Sequence, residues 1–162
     1  MSADHQYCTF FLAGDYFGLN VLQVQEIVRE QPMTCVPLAS PVIAGLMNLR
    51  GQIVTAMDLR RRLGFPDRDT GEESVNVVVQ TRDGAVSLIV DEIGDVLSLS
   101  HELFEPPPET MRGSDRELIL GAYKLPERLL VILSLERILK VPEESTSQAV
   151  SRRVLKSLSS PD

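Results

Sequence analysis

Few residues in this sequence have the types and spacing that catalysis requires. The two histidines, His5 and His101, lie near the amino terminus and at the entrance to a polar loop, with no second ligand or nucleophile motif beside either. Asp91, Glu92 and Asp95 lie close together, but their spacing matches no metal-binding loop. A solvated or structural role is the better interpretation of each group. The sequence therefore predicts no enzyme, no metal site and no cofactor.

The cysteines and the charge balance exclude further classes of protein. Cys8 and Cys35 match no metal motif and are too few for a disulfide framework. The chain has 162 residues, is 43% hydrophobic and has a formal net charge of -7. An acidic chain repels nucleic acid unless its basic residues are concentrated. Its basic clusters, at 60–62 and 152–156, are short and are expected to be solvated helix faces. A nucleic-acid-binding double barrel remains only a remote alternative.

The amino terminus and the hydropathy pattern bear on localisation. The first residues, MSADHQYCTF, lack a basic region followed by an apolar segment, so no secretory signal is predicted. No apolar run approaches the roughly 18 residues that a membrane span needs. We therefore expect a cytoplasmic protein with no direct membrane insertion.

Arg50 stands out because it lies within the sequence NLRG, where an apolar segment gives way to a strand-like run. Ser40 and Pro41 are typical of a helix start and predict a helix over residues 41–48. Gly51 suits the position just past its end. An arginine at this point has three interpretations: it caps the negative end of that helix, binds an anion, or contacts a partner protein.

Short apolar runs separated by turn residues dominate the rest of the chain. Residues 7–13 and 17–21 read as strands, and the run over 76–100 reads as a hairpin turning at Asp83 and Gly84, followed by further strand. Asp58 and Ser134 each precede a short helical segment that they can cap. This pattern favours an all-β sandwich or barrel.

The pattern also repeats along the chain. Residues 7–28 align with residues 76–97 without a gap, and IVTAMDLRRRL aligns with LLVILSLERIL, which places Asp58 on Ser134. We therefore expect one domain over residues 7–140, made of two similar barrels at about 7–66 and 75–140, with room for strand exchange at the ends. Residues 143–162 are predicted to be a polar tail or a short helix with one apolar face. That face would contain Val150, Val154, Leu155 and Leu158.

Four blocks of sequence, in this order, resemble the CheW family of bacterial chemotaxis coupling proteins. They are FGLNVLQVQEIV, PVIAGLMNLRGQIVTAMDLRRRLG, VSLIVDEIGDVLSLS and LILGAYKLPERLLVILSLERIL. The resemblance implies a mainly β fold of two SH3-like five-stranded barrels with a few short helices. It also implies a scaffold without catalysis, which joins the cytoplasmic tips of methyl-accepting receptors to the regulatory domain of the histidine kinase CheA. Such a protein would be recruited to receptor arrays at the inner face of the membrane.

The resemblance also implies site residues. Val24, Glu26 and Arg50 correspond to the receptor-binding surface, and Ser87 and Ile93 to the kinase-contacting part. A Glu26–Arg50 pair would orient the guanidinium group. From the residues alone, Val24 fits a core position and Glu26 a solvated one. An adaptor of a parallel chemosensory pathway, for surface motility or gene control, remains the alternative function.

Overall fold

The computed structural model describes residues 4–69, 71–107 and 117–140, and the predicted tail over residues 143–162 lies outside them. The described chain is mainly β, with ten strands and a few short helices. The strands are β1 Asp4–Leu12, β2 Asp15–Asn20, β3 Val24–Arg29, β4 Ile43–Leu49, β5 Gln52–Asp58, β6 Val75–Thr81, β7 Gly84–Val90, β8 Glu92–Ser100, β9 Ile119–Lys124 and β10 Leu129–Leu133. The α-helices are α1 Leu59–Arg62 and α2 Leu135–Ile138, and 3-10 turns cover Val21–Gln23 and His101–Leu103.

The strands form two five-stranded sheets, which are the expected SH3-like barrels. One sheet has the order β3-β6-β7-β5-β4 and is a contiguous piece of the chain, here called the central barrel. The other has the order β8-β1-β2-β10-β9 and combines both ends of the described chain, here called the terminal barrel. In each barrel one parallel pair, β5 with β7 or β2 with β10, stands among antiparallel neighbours.

The predicted boundary between residues 66 and 75 is not the boundary between the barrels. The two sequence repeats are present, since β1 to β5 with α1 correspond in order to β6 to β10 with α2. Each barrel, however, combines the first hairpin of one repeat with the last three strands of the other repeat. The central barrel contains β6 and β7 with β3, β4 and β5, and the terminal barrel contains β1 and β2 with β8, β9 and β10. The exchange is therefore more extensive than expected, because alternation along a strand says nothing about which distant strand will pair with it.

One hydrophobic core runs through both barrels. Its fully buried members come from the terminal barrel, as with Phe10 and Leu19, and from the central barrel, as with Leu88 and Val90. Leu135 and Ile138 of α2 belong to the same cluster. Because this core is continuous, the relative position of the barrels depends on packing as well as on the connecting strands.

The two predicted helix caps are confirmed. The Asp58 carboxylate accepts a hydrogen bond from the Arg60 backbone N–H at 3.0 Å, and the Ser134 hydroxyl accepts one from the Arg137 N–H at 3.4 Å. Asp58 is the last residue of β5 and Ser134 directly follows β10, and each turns the chain into a four-residue helix. A short polar side chain at that point satisfies a backbone donor that would otherwise lack a partner.

The helix predicted over residues 41–48 is wrong, because this segment forms β4. Its backbone pairs with β5 on one side. On the other side, Leu46 exchanges two hydrogen bonds of 2.8 Å with Thr34. A Cβ atom at Gly45 would lie 2.6 Å from the Thr34 carbonyl oxygen, so the glycine permits this close approach. These tertiary pairings override the helical spacing of the apolar residues.

Candidate protein-interaction surfaces

Arg50 occupies a two-residue hairpin turn between β4 and β5. Leu49 pairs with Gln52, and the two turn residues, Arg50 and Gly51, have φ angles of 54° and 85°. Positive φ at both central positions defines the type I′ turn that joins twisted strands. The Asn48 side chain accepts a hydrogen bond from the Gly51 N–H at 2.8 Å and supports the turn. Arg50 is thus fixed in a conformation that costs a non-glycine residue about 1–2 kcal/mol.

The Arg50 side chain forms an ion pair with Glu26 of β3. The guanidinium Nη2 donates to Glu26 Oε2, and the Gln25 amide donates to the same oxygen at 3.4 Å. The strands β3 and β4 are the two edges of the central sheet, so the pair joins these edges as the barrel closes. Because no helix precedes Arg50, capping a helix end is excluded as its role. The predicted pair is present and is made through one guanidinium nitrogen, Nη2.

Exposure differs strongly between the two partners. The Glu26 side chain is 23% exposed, whereas the Arg50 side chain is 68% exposed. The carboxylate therefore acts as a partly buried anchor, and most of the arginine surface remains open to solvent. An ion pair this exposed contributes little to folding. The arrangement suits recognition of another molecule better than stabilisation of this one.

Two exposed apolar side chains on β3 and β5 were not singled out in the sequence. Ile27 follows Glu26 on β3 and is 42% exposed, and Ile53 pairs with Asn48 beside the hairpin turn and is 44% exposed. The alternation of β3 could have indicated Ile27, since Val24, Glu26 and Val28 share the opposite face. Ile53 therefore gives the Arg50 end of the central barrel exposed apolar area, whereas Ile27 lies on the face of β3 opposite Glu26.

The remaining candidate residues are more buried. Val24 lies on the inward side of β3 and packs, half-buried, against the main core. Ile93 on β8 is also half-buried against that core. Ser87 on β7 is fully buried, and its hydroxyl donates to the Asn76 side-chain oxygen at 2.8 Å. Ser87 therefore presents no surface for direct contact with a partner.

The barrel assignment of these residues also differs from the prediction. Val24, Glu26, Arg50 and Ser87 all belong to the central barrel, and Ile93 belongs to the terminal barrel. The structure therefore brings the three receptor-surface candidates together and separates the two kinase-surface candidates into different sheets. Of these two, only Ile93 retains partial exposure.

Asp91 holds the junction between the barrels. It lies between β7 of the central sheet and β8 of the terminal sheet, and its carboxylate accepts hydrogen bonds from Arg60 Nε at 2.8 Å and Arg68 Nε at 2.9 Å. The Ala13 N–H, in the β1–β2 turn, donates at 2.8 Å. Burial alone would raise the pKa of Asp91, but the Arg60 and Ala13 bonds and the two positive charges outweigh it and lower that pKa.

The basic cluster over residues 60–62 is therefore not a solvated face throughout. The Arg60 side chain is 12% exposed in its pair with Asp91. Arg62 donates to the backbone oxygens of Ile138 at 2.8 Å and Lys140 at 2.9 Å, and burial lowers its pKa. These bonds connect α1, which follows β5 of the central barrel, to the end of α2, which follows β10 of the terminal barrel.

The two histidines, which the sequence indicated to be isolated from each other, lie close together in the structure. His5 and His101 meet edge to face with ring centroids 5.3 Å apart, and His101 stacks near Phe104. Cys8 is buried, and burial raises the pKa of its thiol. Within residues 4–69, 71–107 and 117–140, no three His, Cys, Asp or Glu side chains are grouped as a metal ion would need. Among the described helices, none has the length and apolar character to span a membrane.

Comparison with known proteins decides the family. The model of the CheW-like domain matches residues 6–143, which include every described strand from β2 to β10 and most of β1. This chain belongs to the CheW family. The match spans both barrels, so the exchanged strand topology belongs to one CheW-like domain and not to two fused modules.

Relatives and a solved structure agree with this assignment. The chain is 33% identical to the chemotaxis protein CheW of Bacillus subtilis over 87% of this chain and 89% of the relative. It is 31% identical to CheW of Klebsiella aerogenes, with 91% and 89% covered. The crystal structure of the scaffolding protein TtCheW from Thermoanaerobacter tengcongensis superposes with a TM-score of 0.79 at 27% identity, covering 91% of this chain and 99% of that one.

Proposed function

We propose that this chain is a non-catalytic scaffold that couples methyl-accepting chemoreceptors to a CheA-type histidine kinase. The observation that carries the proposal is the match of the CheW-like domain over both barrels, together with chemotaxis proteins that align over 89% of their own length. The TtCheW neighbour is described as a scaffolding protein. A scaffold needs two partner surfaces and a rigid connection between them; in this proposal the two barrels supply the surfaces and the continuous core supplies the connection.

In this proposal the receptor surface is the end of the central barrel that contains Val24, Glu26 and Arg50. Glu26 holds the arginine, Arg50 presents its exposed guanidinium to a receptor helix, and Ile53, next to the turn, supplies exposed apolar area. Val24 acts from the half-buried side of β3 by fixing the position of that strand. Arginine is among the residues that most often contribute a large share of the binding energy in interfaces.

The kinase surface in this proposal lies on the terminal barrel and includes Ile93 of β8. Val96, on the same strand, is 57% exposed and extends the apolar area available to the regulatory domain. Ser87 supports the central barrel from inside through its bond to Asn76. Because the two surfaces lie on different barrels, the Asp91 junction and the continuous core would fix the position of one bound partner relative to the other.

Reconstitution tests the proposal directly. The full chain is mixed with a receptor-tip fragment and with a CheA regulatory domain, and the products are separated by size-exclusion chromatography. We expect a ternary complex as well as each binary complex. In cells that contain receptor arrays, we expect the protein to be recruited to the inner face of the membrane. Failure to bind either partner while the protein remains folded would contradict the scaffold role.

A further inference from the structure

A groove of about 700 Å³ lies away from the Arg50 end, between the β1–β2 hairpin, the residues that follow α1 and the β9–β10 hairpin. Leu63, Phe65, Ile119 and Val131 line it with half-buried apolar surface, and Leu129 is 47% exposed. A concave apolar surface of this size is suited to burying a few side chains of a peptide segment.

The described chain ends beside this groove. The Lys140 carbonyl oxygen accepts a hydrogen bond from Arg62 Nη2 at 2.9 Å, and the next residues after Arg62, Leu63 and Gly64, form one wall of the groove. The 22 residues over 141–162 continue from this point. Nine of them, 141–149, can span about 30 Å when extended, which is ample to reach any part of the groove.

The sequence of the final segment is complementary to the groove. Val150, Val154 and Leu158 are spaced by four, and Leu155 shares their side, so all four fall on one face of a helix. Arg152 and Arg153 would flank that face.

The rim of the groove has charges of the opposite sign. It includes the exposed residues Asp15 and Glu127, whereas the rim cation Arg128 already lies 5.2 Å from the ring centroids of Phe11 and Tyr16. The rim therefore offers acidic partners to the two flanking arginines.

We propose that residues 150–158 dock as an amphipathic helix into the groove of their own chain. The four apolar side chains cover Leu129 and its neighbours, and the flanking arginines reach the rim carboxylates. The docked segment is an intramolecular cover for a surface that the proposed receptor and kinase surfaces do not use. This inference does not depend on the proposed function.

Hydrogen exchange of the full-length protein measures the docked state. We expect amides over 150–158 to exchange about tenfold more slowly than in the variant Val154→Asp/Leu158→Asp, and amides around Leu63 and Leu129 to exchange faster in that variant. Ser159→Asp adds charge outside the apolar face and is expected to exchange like wild type. Equal exchange in wild type and the double variant would overturn the proposal.

Cross-linking identifies the occupant. In a Cys35→Ser background, Leu129→Cys and Ser157→Cys are joined by a short bis-maleimide at low protein concentration. We expect a product of monomer mass. Ser98→Cys replaces Leu129→Cys in the control, because Ser98 pairs with Gln6 at the end of β1 remote from the groove, and little product is expected. A product of dimer mass would assign the groove to a second copy, and no product above the Ser98 control would show that the segment does not lie near Leu129; either result overturns the proposal.

Discussion

Glu26 and Arg50 join the two edges of one sheet, because the first lies on edge strand β3 and the second is the turn residue that follows edge strand β4. The pair forms where a sheet curves until its edges meet, so its geometry depends on closure of the whole central barrel. The type I′ turn then fixes the backbone from which the arginine projects. An exposed cation held from two directions is ordered before any partner arrives, which lowers the entropy lost on binding.

The turn itself is open to a first test. Gly51→Ala is expected to destabilise the protein by about 1–2 kcal/mol, because the residue has a φ of 85° while its absent Cβ would meet nothing within 4 Å. The cost is thus one of backbone conformation alone. Denaturant unfolding measures it, with the adjacent exposed residue changed in Gln52→Ala as the control. Equal stability of the two variants would show that the turn adapts to a side chain.

The Asp91 junction predicts a pH dependence of stability. The pKa of Asp91 is lowered in the folded protein, so the unfolded chain binds a proton first as the pH falls. The contribution of Asp91 is complete above its unfolded pKa, about 3.9, and is lost as the pH falls through the lower folded value. Asp91→Asn should reduce the free energy of unfolding at pH 7 by about 2–3 kcal/mol and flatten this acid dependence.

Asp67→Asn provides the matched control for that experiment. Asp67 also pairs with an arginine, Arg61 Nε at 2.9 Å, but its side chain is 63% exposed and connects no other element. Unfolding of this variant at pH 7 should match that of wild type. If Asp91→Asn also matches wild type, the junction is held by the apolar core and not by the carboxylate.

A variant of Ser87 tests whether this residue stabilises the fold or contacts the kinase directly. Ser87→Ala removes the donor to Asn76 and leaves a buried oxygen without that bond, which should destabilise the fold by about 1–2 kcal/mol. Kinase affinity of the folded variant should not change, because the hydroxyl is fully buried. Calorimetric titration with the regulatory domain measures this, and Gln80→Ala, at an exposed position of the central barrel, is the control. If Ser87→Ala folds normally but clearly loses affinity for the regulatory domain, Ser87 contributes to the kinase-contacting surface and this account of it is wrong.

The parts of the fold that depend on neighbouring residues were predictable from the sequence. Asp58 and Ser134 cap their helices, and β6 and β7 form the predicted hairpin, although the turn residues are 82 and 83 and not 83 and 84. Such features are decided by a few consecutive side chains. The apolar spacing of residues 42–47 fits a helix as well as a strand, and only the pairing with β5 and Thr34 selects the strand.

Long-range pairing explains what the sequence did not reveal about the site. Glu26 and Arg50 were paired through the family resemblance and not through their own spacing. Asp91 meets Arg60 and Arg68 across 31 and 23 residues, and no local pattern indicates that contact. The burial of Ser87 follows from its position on the middle strand of a closed sheet, which alternation alone does not determine.

The central claim is that the two barrels bind different partners, and parallel titration of two full-length variants tests it most directly. Arg50→Ala and Val96→Asp are each titrated with a receptor-tip fragment and a CheA regulatory domain, alongside denaturant melts. Both side chains are well exposed, so folding stability should stay within about 1 kcal/mol of wild type. Ile93→Asp, from a half-buried position, repeats the kinase arm if it remains folded.

We predict that Arg50→Ala weakens receptor binding by about 1–3 kcal/mol with normal kinase binding, and that Val96→Asp does the reverse. Arg50→Lys should recover only part of the loss, because lysine lacks the planar guanidinium group. If each folded variant loses affinity for both partners equally, or if Arg50→Ala binds receptor as wild type does, the assignment of separate surfaces to the two barrels is wrong.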